Sequence, residues 1–286
     1  MKTLICCLVL VASRALAQSP SDGPVLIALG LEPTASLFLF NSAGSVRIVG
    51  WDLDSMVVRG HASRGDIAFG GGRHGGKMSI DGSTRAGTAA AINIVIYYPR
   101  RGTISVKTAT GDVTSSDVAG SYYTVAGTIR VSGAASSVEA EAMNGNIDLE
   151  VSTPWVRART GAGHLLIRGS PQDVDASTID GSLDVASPTI LRGRFASVTG
   201  DIRYAAAPAS GSLFEFSNHG GAVDFLLPKT VSGRFDLSTV SGEIANGFTQ
   251  VRPVAAGPHS LRLNLGRGDA QITVRTFKGT IRLRPQ

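Results

Sequence analysis

The chain has 286 residues, 43% of them hydrophobic, with 35 glycines and a formal charge of +5. That length suits one large or two modest domains, and glycine is over-used without the strict period of collagen. So mild a charge gives no case for a nucleic-acid partner, and aromatics at 6% leave Val, Ile, Leu and Ala to build the core.

The N-terminus reads as a targeting segment. Lys2 supplies the positive start, Leu4–Ala12 the apolar run, and Ala15-Leu16-Ala17 an A-x-A cleavage site before Gln18. The apolar run is too short to span a bilayer as a helix. Residues 1–17 are therefore expected to be a signal peptide. The mature protein is expected to be exported in soluble form, to a periplasm or the outside. Both cysteines, Cys6 and Cys7, leave with the leader, so no disulfide or thiol chemistry is expected. Loss of Lys2 and Arg14 lowers the formal charge to about +3.

Residues 18–35 read as a linker, and 36–101 as an irregular β region. The latter holds GSVRIVGWDLDSMVVRG (Gly44–Gly60), GDIAF (Gly65–Phe69), KMSID (Lys77–Asp81) and the apolar AINIVIYYP, ended by Pro99. Its expected role is a β-rich cap on the remainder of the chain.

Residues 102–286 form a repeat. A Gly-x-Ile/Val/Leu tripeptide begins at Gly111, Gly127, Gly145, Gly163, Gly181, Gly200, Gly221 and Gly242, at intervals of 16 to 21 residues. A near-fixed period of this size marks a stacked array. In the unit GNIDLEVSTPWVRARTGA, Ile147, Leu149 and Val151 alternate with polar residues. After a turn at Thr153-Pro154, Val156, Ala158 and Thr160 alternate with Arg157 and Arg159. This period of two implies two half-buried strands per unit. Such a unit cannot bury its inner face alone, so units must stack, aliphatic upon aliphatic. The glycine would serve a corner that needs φ > 0, or one where backbones pack close. The expected fold is an all-β, β-solenoid-like stack of about 18–21-residue units, on the order of 40 Å long. The alternative is an antiparallel β-sandwich. The terminal GTIRLRPQ reads as a protected edge strand.

The chain resembles a bacterial β-strand-repeat family of putative adhesins, a class of unknown function. The residues that carry the likeness are SAGSVRIVGWDLDSMVVRG, INIVIYYPRRGTISVKTATGDV and the Gly-x-Ile/Val units. The G-x-V-x-V-x-G-W-D stretch falls at Gly44–Asp52 and the T-x-x-G-D-V at Thr108–Val113. The resemblance covers about residues 36–284 and implies a solenoid-like fold in exported or envelope proteins, with no catalytic residues to carry over.

Local motifs yield little chemistry. GGRHGGK (Gly71–Lys77) matches a phosphate loop, but Met78 stands where Ser or Thr must hold Mg²⁺, so a strand connection is expected. RGD occurs at Arg64–Asp66 and Arg267–Asp269, where Gly-Asp is also the repeat's corner. The residue after each repeated glycine varies (Asp112, Thr128, Asn146, His164, Ser182, Asp201, Ala222, Glu243), which argues against stacked calcium sites. His61, His74, His164, His219 and His259 show no metal-ligand spacing, and no cofactor or catalytic triad is expected. Tyr122-Tyr123 and Trp155 could stack on sugars, although a core or corner role suits them as well. The most suggestive surface is basic and C-terminal: Arg252, Arg262, Arg267, Arg275, Lys278, Arg282 and Arg284 face only Asp269 after residue 245. Such a face would suit anionic glycan or lipid headgroups, or simply discourage end-to-end stacking.

The expected function is a non-catalytic, exported cell-envelope binding or scaffold protein of the adhesin type, with an anionic glycan or envelope component as partner. A self-assembling or partner-sensing envelope component is the alternative. A polysaccharide-active β-helix enzyme comes third.

Overall fold

The structure is a computed structural model, and it describes residues 23–62, 66–82, 90–134 and 136–286. The expected signal peptide and the first RGD, apart from Asp66, lie outside the described residues. Among the described residues there is no helix, hence none long and apolar enough to cross a membrane.

The chain begins with β1 (Val25–Gly30), β2 (Ser36–Ala43), β3 (Val46–Trp51), β4 (Ser55–Gly60), β5 (Ile67–Gly72), β6 (Gly75–Ile80) and β7 (Ile94–Pro99). Regular coils of two strands come next. They are β8 (Thr103–Thr110) with β9 (Val113–Ser116), β10 (Ala119–Ala126) with β11 (Ile129–Ser132), and β12 (Val138–Asn144) with β13 (Ile147–Val151). Beyond these lie β14 (Trp155–Ala162) with β15 (Leu165–Gly169), and β16 (Asp173–Asp180) with β17 (Leu183–Ala186). The series closes with β18 (Arg192–Ser197) and β19 (Ile202–Tyr204), then β20 (Leu213–Asn218) and β21 (Val223–Leu227). The last strands are β22 (Gly233–Thr239), β23 (Ile244–Asn246), β24 (Ala255–Gly257), β25 (Ser260–Leu265), β26 (Ala270–Thr276) and β27 (Ile281–Pro285).

Each coil lays one strand in each of two long, mostly parallel sheets, so the fold is the expected β-solenoid-like stack and not the sandwich. A narrow sheet has the order β1-β4-β7-β3-β9-β11-β13-β15-β17-β19-β21-β27-β23. A broad sheet has the order β24-β25-β22-β26-β20-β18-β16-β14-β12-β10-β8-β2-β6-β5. The two-stranded rungs extend about 50 Å at the usual strand spacing.

Period two decides which side chains face inward. Val46, Val113, Ile129, Ile147, Leu165, Leu183, Ile202, Val223 and Ile281 stand in register on successive rungs, every one buried. Each such side chain contributes roughly 1.5–3 kcal/mol through burial. Opposite them, on the broad sheet, Ala140, Ala158 and Ala176 give way to Phe195 and Phe216. The core near the C-terminal end is thus aromatic, contrary to the aliphatic core expected from composition. Phe195 lies 5.0 Å from Phe216, and Phe216 lies 4.8 Å from Phe225. Gly193 leaves the space into which the Phe195 and Phe214 rings pack.

The repeated glycine answers to close approach. In rung order the column runs Gly44, Gly111, Gly127, Gly145, Gly163, Gly181, Gly200, Gly221, Gly279, Gly242. A Cβ on any of these after the first would run into the carbonyl oxygen of the glycine before it. Gly44 and Gly111 also have φ of 103° and 136°, which disfavours any other residue. Three residues before each glycine stands a buried Asn, Thr or Ser in all but one rung, where Ala142 takes the place. Several of these side chains donate to glycine carbonyls, among them Asn41 to Gly44 (2.9 Å), Thr160 to Gly145 (2.9 Å), Asn218 to Gly200 (2.8 Å) and Thr276 to Gly279 (2.9 Å). A buried carbonyl left unpaired is costly, so the T-x-x-G-x-I pattern is a single structural unit.

Three expectations need correction. Residues 18–35 are not all linker, because β1 pairs antiparallel with β4. The 36–101 region is more than a cap, since β2 and β3 form an inner rung flanked by β6 with β7 on one side and β8 with β9 on the other. The C-terminal strand is not an edge. After β21 the chain moves outward to lay down β22 and β23, adds the β24–β25 hairpin, and returns to insert β26 and β27 between the two rungs. Arg282 and Arg284 are accordingly held by Asp224 of β21, at 3.3 and 3.4 Å, rather than facing solvent at a rod end.

Candidate binding surface

The strands of the broad sheet run up to eight residues, against three to six in the narrow sheet. Their outward side chains fall into parallel columns, because register is kept from rung to rung.

One column is a ladder of alternating charge: Glu139, Arg157, Asp175, Arg194, Glu215. Arg157 lies 3.7 Å from Glu139 and 4.0 Å from Asp175, and Arg194 lies 3.4 Å from Glu215. Beside it, Arg192 lies 2.9 Å from Asp173. Opposite charges on neighbouring strands support each other, while a slipped register would juxtapose like charges or leave them unpaired. The next column has a floor of small residues, Ser177, Ala196 and Ser217, between Arg159 and Arg275. The column nearest the corner is apolar and exposed: Val125, Met143, Ile179, Val198, Phe277 and Val240, with Ile179 61% and Val240 60% accessible. Gly161 and His219 complete it, and the His219 ring stacks on Phe277 at 4.8 Å with 5° between planes.

The same face carries the main hollows. One of about 690 Å³ lies along Met143, Ile179, Val198 and Phe277, walled by Arg159 and Arg275. A second of about 710 Å³ lies over Asp173, Asp175, Arg192, Arg194 and Arg275, with Trp155 at its rim. A third of about 550 Å³ runs from Trp155 toward Phe38 and Lys77. Trp155 is 37% exposed between the last two. The first and second share Arg275 and the second and third share Trp155, so the three adjoin in a trough on the broad sheet.

The seven basic residues singled out from the sequence do not share one face. Arg262 and Arg275 are on the broad sheet, Arg282 and Arg284 on the narrow one. Arg262 is paired with Asp236 at 3.3 Å and Arg267 with Asp269 at 3.1 Å. Arg252 and Lys278 lie on connections between strands. Counting charges by sequence failed because Asp224 and Asp236 precede the segment but neighbour it in space. The second RGD is closed on itself, since the Asp269 carboxylate takes hydrogen bonds from Arg267 and from Ser232 at 3.0 Å. GGRHGGK is the β5–β6 hairpin.

The variable residue after each glycine has a role beyond filling a wet corner. Asp112, Asn146 and Asp201 each accept the backbone N–H one rung on, at 2.8, 2.8 and 2.7 Å. In the same column His164 Nδ1 lies 2.6 Å from Ser182 Oγ, and Nε2 lies 3.4 Å from Asp184. Serine, histidine and aspartate thus touch, brought together by stacking of two neighbouring rungs, His164 from one and Ser182 and Asp184 from the next. Among the described residues, none of these three lines the hollows of the broad sheet. Burial raises the phenol pKa of Tyr98, Tyr122 and Tyr204 well above the ordinary value, and all three belong to the core.

No protein-family model matches the chain, and no curated protein does. Solved structures do match. A putative adhesin from Bacteroides fragilis NCTC 9343 is 12% identical, with 90% of this chain and 95% of that one covered, at a TM-score of 0.46. A putative cell adhesion protein from Clostridium sporogenes ATCC 15579 is 11% identical, covering 91% and 98%, at a TM-score of 0.24.

Proposed function

We propose that the protein is a non-catalytic binding rod of the cell envelope, exported by its leader, that holds an extended glycan along the outer face of the broad sheet. The observation that carries this reading is the trough, where an exposed apolar column runs beside a column of hydroxyls and guanidinium groups over many rungs. A chain of sugars has the same two-sidedness, apolar C–H faces and polar edges. The strand spacing of about 4.8 Å is close to the advance of one pyranose along an extended chain. Concave surfaces with a few placed polar groups are the usual form of a binding site.

The test is a glycan array and an envelope pull-down with the mature protein, its double variant Met143→Lys/Ile179→Lys, and Arg282→Gln on the opposite sheet. Retention is expected for the wild type and for Arg282→Gln, and loss for the double variant. Equal retention by all three, or none by the wild type, would overturn the reading.

A second reading, self-association, draws on one feature. β1 is an edge strand, VLIALG, with no charge and no proline. At the other end β24 has only three residues, between Pro253 and Pro258. Unprotected edges pair with other chains. The feature suits two copies meeting β1 to β1, which light scattering at rising concentration would show as a doubling of mass. A constant monomer mass would remove this reading.

A further inference from the structure

On the broad sheet Arg157, Arg159, Arg192, Arg194 and Arg262 each have a carboxylate within 4.0 Å. Arg275 of β26 has none among the described residues, yet it lines three hollows at once. Its strand neighbours explain why. In register, Ser217 of β20 stands on one side and Ser238 of β22 on the other, so no acid falls beside it. Thr273 faces outward two residues before it, and Phe277, stacked on His219, two residues after. A guanidinium is always charged and presents donors in a fork that matches a carboxylate. Two hydroxyls flank it, able to donate or accept. An exposed, flat, apolar ring lies alongside.

We infer that Arg275, Ser217, Ser238 and the His219–Phe277 pair form a subsite for a carboxylate-bearing sugar, a uronic-acid residue of the glycan. Arg275 takes the carboxylate, the serines take ring hydroxyls, and Phe277 takes the C–H face. The charge ladder elsewhere on the sheet is already neutralised within itself, whereas Arg275 stands beside it with no carboxylate, so acidity is read at this end of the trough. The inference rests on the broad sheet being the glycan face.

Isothermal titration of the mature protein with a short oligogalacturonate and its carboxyl-reduced counterpart tests it. The wild type should prefer the acidic chain by about ten-fold, the size of one charge-assisted contact. Arg275→Gln should bind both alike, at the affinity of the neutral chain. Phe277→Ser should weaken both and keep the preference, and Arg282→Gln should match the wild type. A preference that survives Arg275→Gln overturns the subsite. So does equal binding of the two chains by the wild type, and if Met143→Lys/Ile179→Lys then abolishes that binding, the glycan face stands without it. Binding of neither chain by the wild type removes the face and the subsite together.

Discussion

From β8 to β21 each rung lies beside the rung that precedes it in sequence, whereas at both ends of the rod the order is broken. In the body, a short corner carries the chain from one strand to the next, and neighbours in space are about 18 residues apart. At the N-terminal end β6 and β7 are laid outside β2 and β3, and the chain then returns to continue on the other side. At the C-terminal end β26 and β27 enter between rungs made earlier. Both ends also carry antiparallel strands, β1, β4 and β5 at one and β24 and β25 at the other. A repeat made only of identical rungs would expose two open parallel edges. Out-of-order rungs with hairpins end it. The difference teaches where specialised features arise: Arg275 stands between two serines only because β26 is inserted between β20 and β22.

The comparison can be broken most severely at the glycine column. Gly181→Val in the body should cost more than about 4 kcal/mol, because its Cβ meets the Gly163 carbonyl and the backbone must shift. Gly268→Ala, on a C-terminal turn with φ of 73° and open space around it, should cost about 1–2 kcal/mol, from conformation alone. Urea unfolding measures both, and equal losses would mean that the column is not closely packed.

Next in size is Tyr122, whose hydroxyl lies 2.8 Å from Ser115 Oγ and donates to Val118 O at 2.7 Å. Tyr122→Phe should cost about 1–3 kcal/mol by leaving both groups without it. The buried phenols also fix the sign of an alkaline effect. Their folded pKa lies above the unfolded value of about 10, so their contribution is complete below that pH and is lost as pH rises further. Stability should therefore fall above about pH 10, and Tyr204→Phe should blunt the fall.

Within the polar column the prediction is finer. Thr160 donates to Gly145 O, whereas the hydroxyls of Thr178 and Ser197 have no partner. Thr160→Val should cost about 1 kcal/mol, and Thr178→Val should be neutral or stabilising. Smallest of all is the exposed charge ladder, where Arg157→Gln should cost no more than about 1 kcal/mol.

Much of the body was legible because its determinants are local and periodic. Alternation at Ile147–Val151 fixed which side chains face inward, and the glycine interval fixed the stack. The Thr and Asn column was visible only in part, as Thr108 within T-x-x-G-D-V, since four residue types fill that position. The ends were not legible. Nothing in TIRLRPQ distinguishes an edge strand from an inserted one, because either alternates in the same way. The basic surface failed for the same reason: whether Arg282 is free depends on Asp224, which is a neighbour only after the insertion. The apolar column was missed because Met143, Ile179, Val198 and Phe277 each look like an isolated exposed residue until rungs are stacked.

Rung order at the C-terminal end decides both the fold's ending and the proposed subsite, and residues 18–286, which contain no cysteine, lend themselves to testing it. Cysteine pairs can be placed at Ser217 with Arg275 and at Ser217 with Ser238, then oxidised mildly and analysed by mass spectrometry. Neighbouring strands put Cα atoms about 4.8 Å apart, within disulfide reach, and strands two rungs apart put them near 10 Å, beyond it. The insertion predicts that the 217–275 pair closes and the 217–238 pair stays reduced. Closure of the 217–238 pair with the 217–275 pair left open would place β22 directly on β20, and would contradict the fold's ending and the subsite at once.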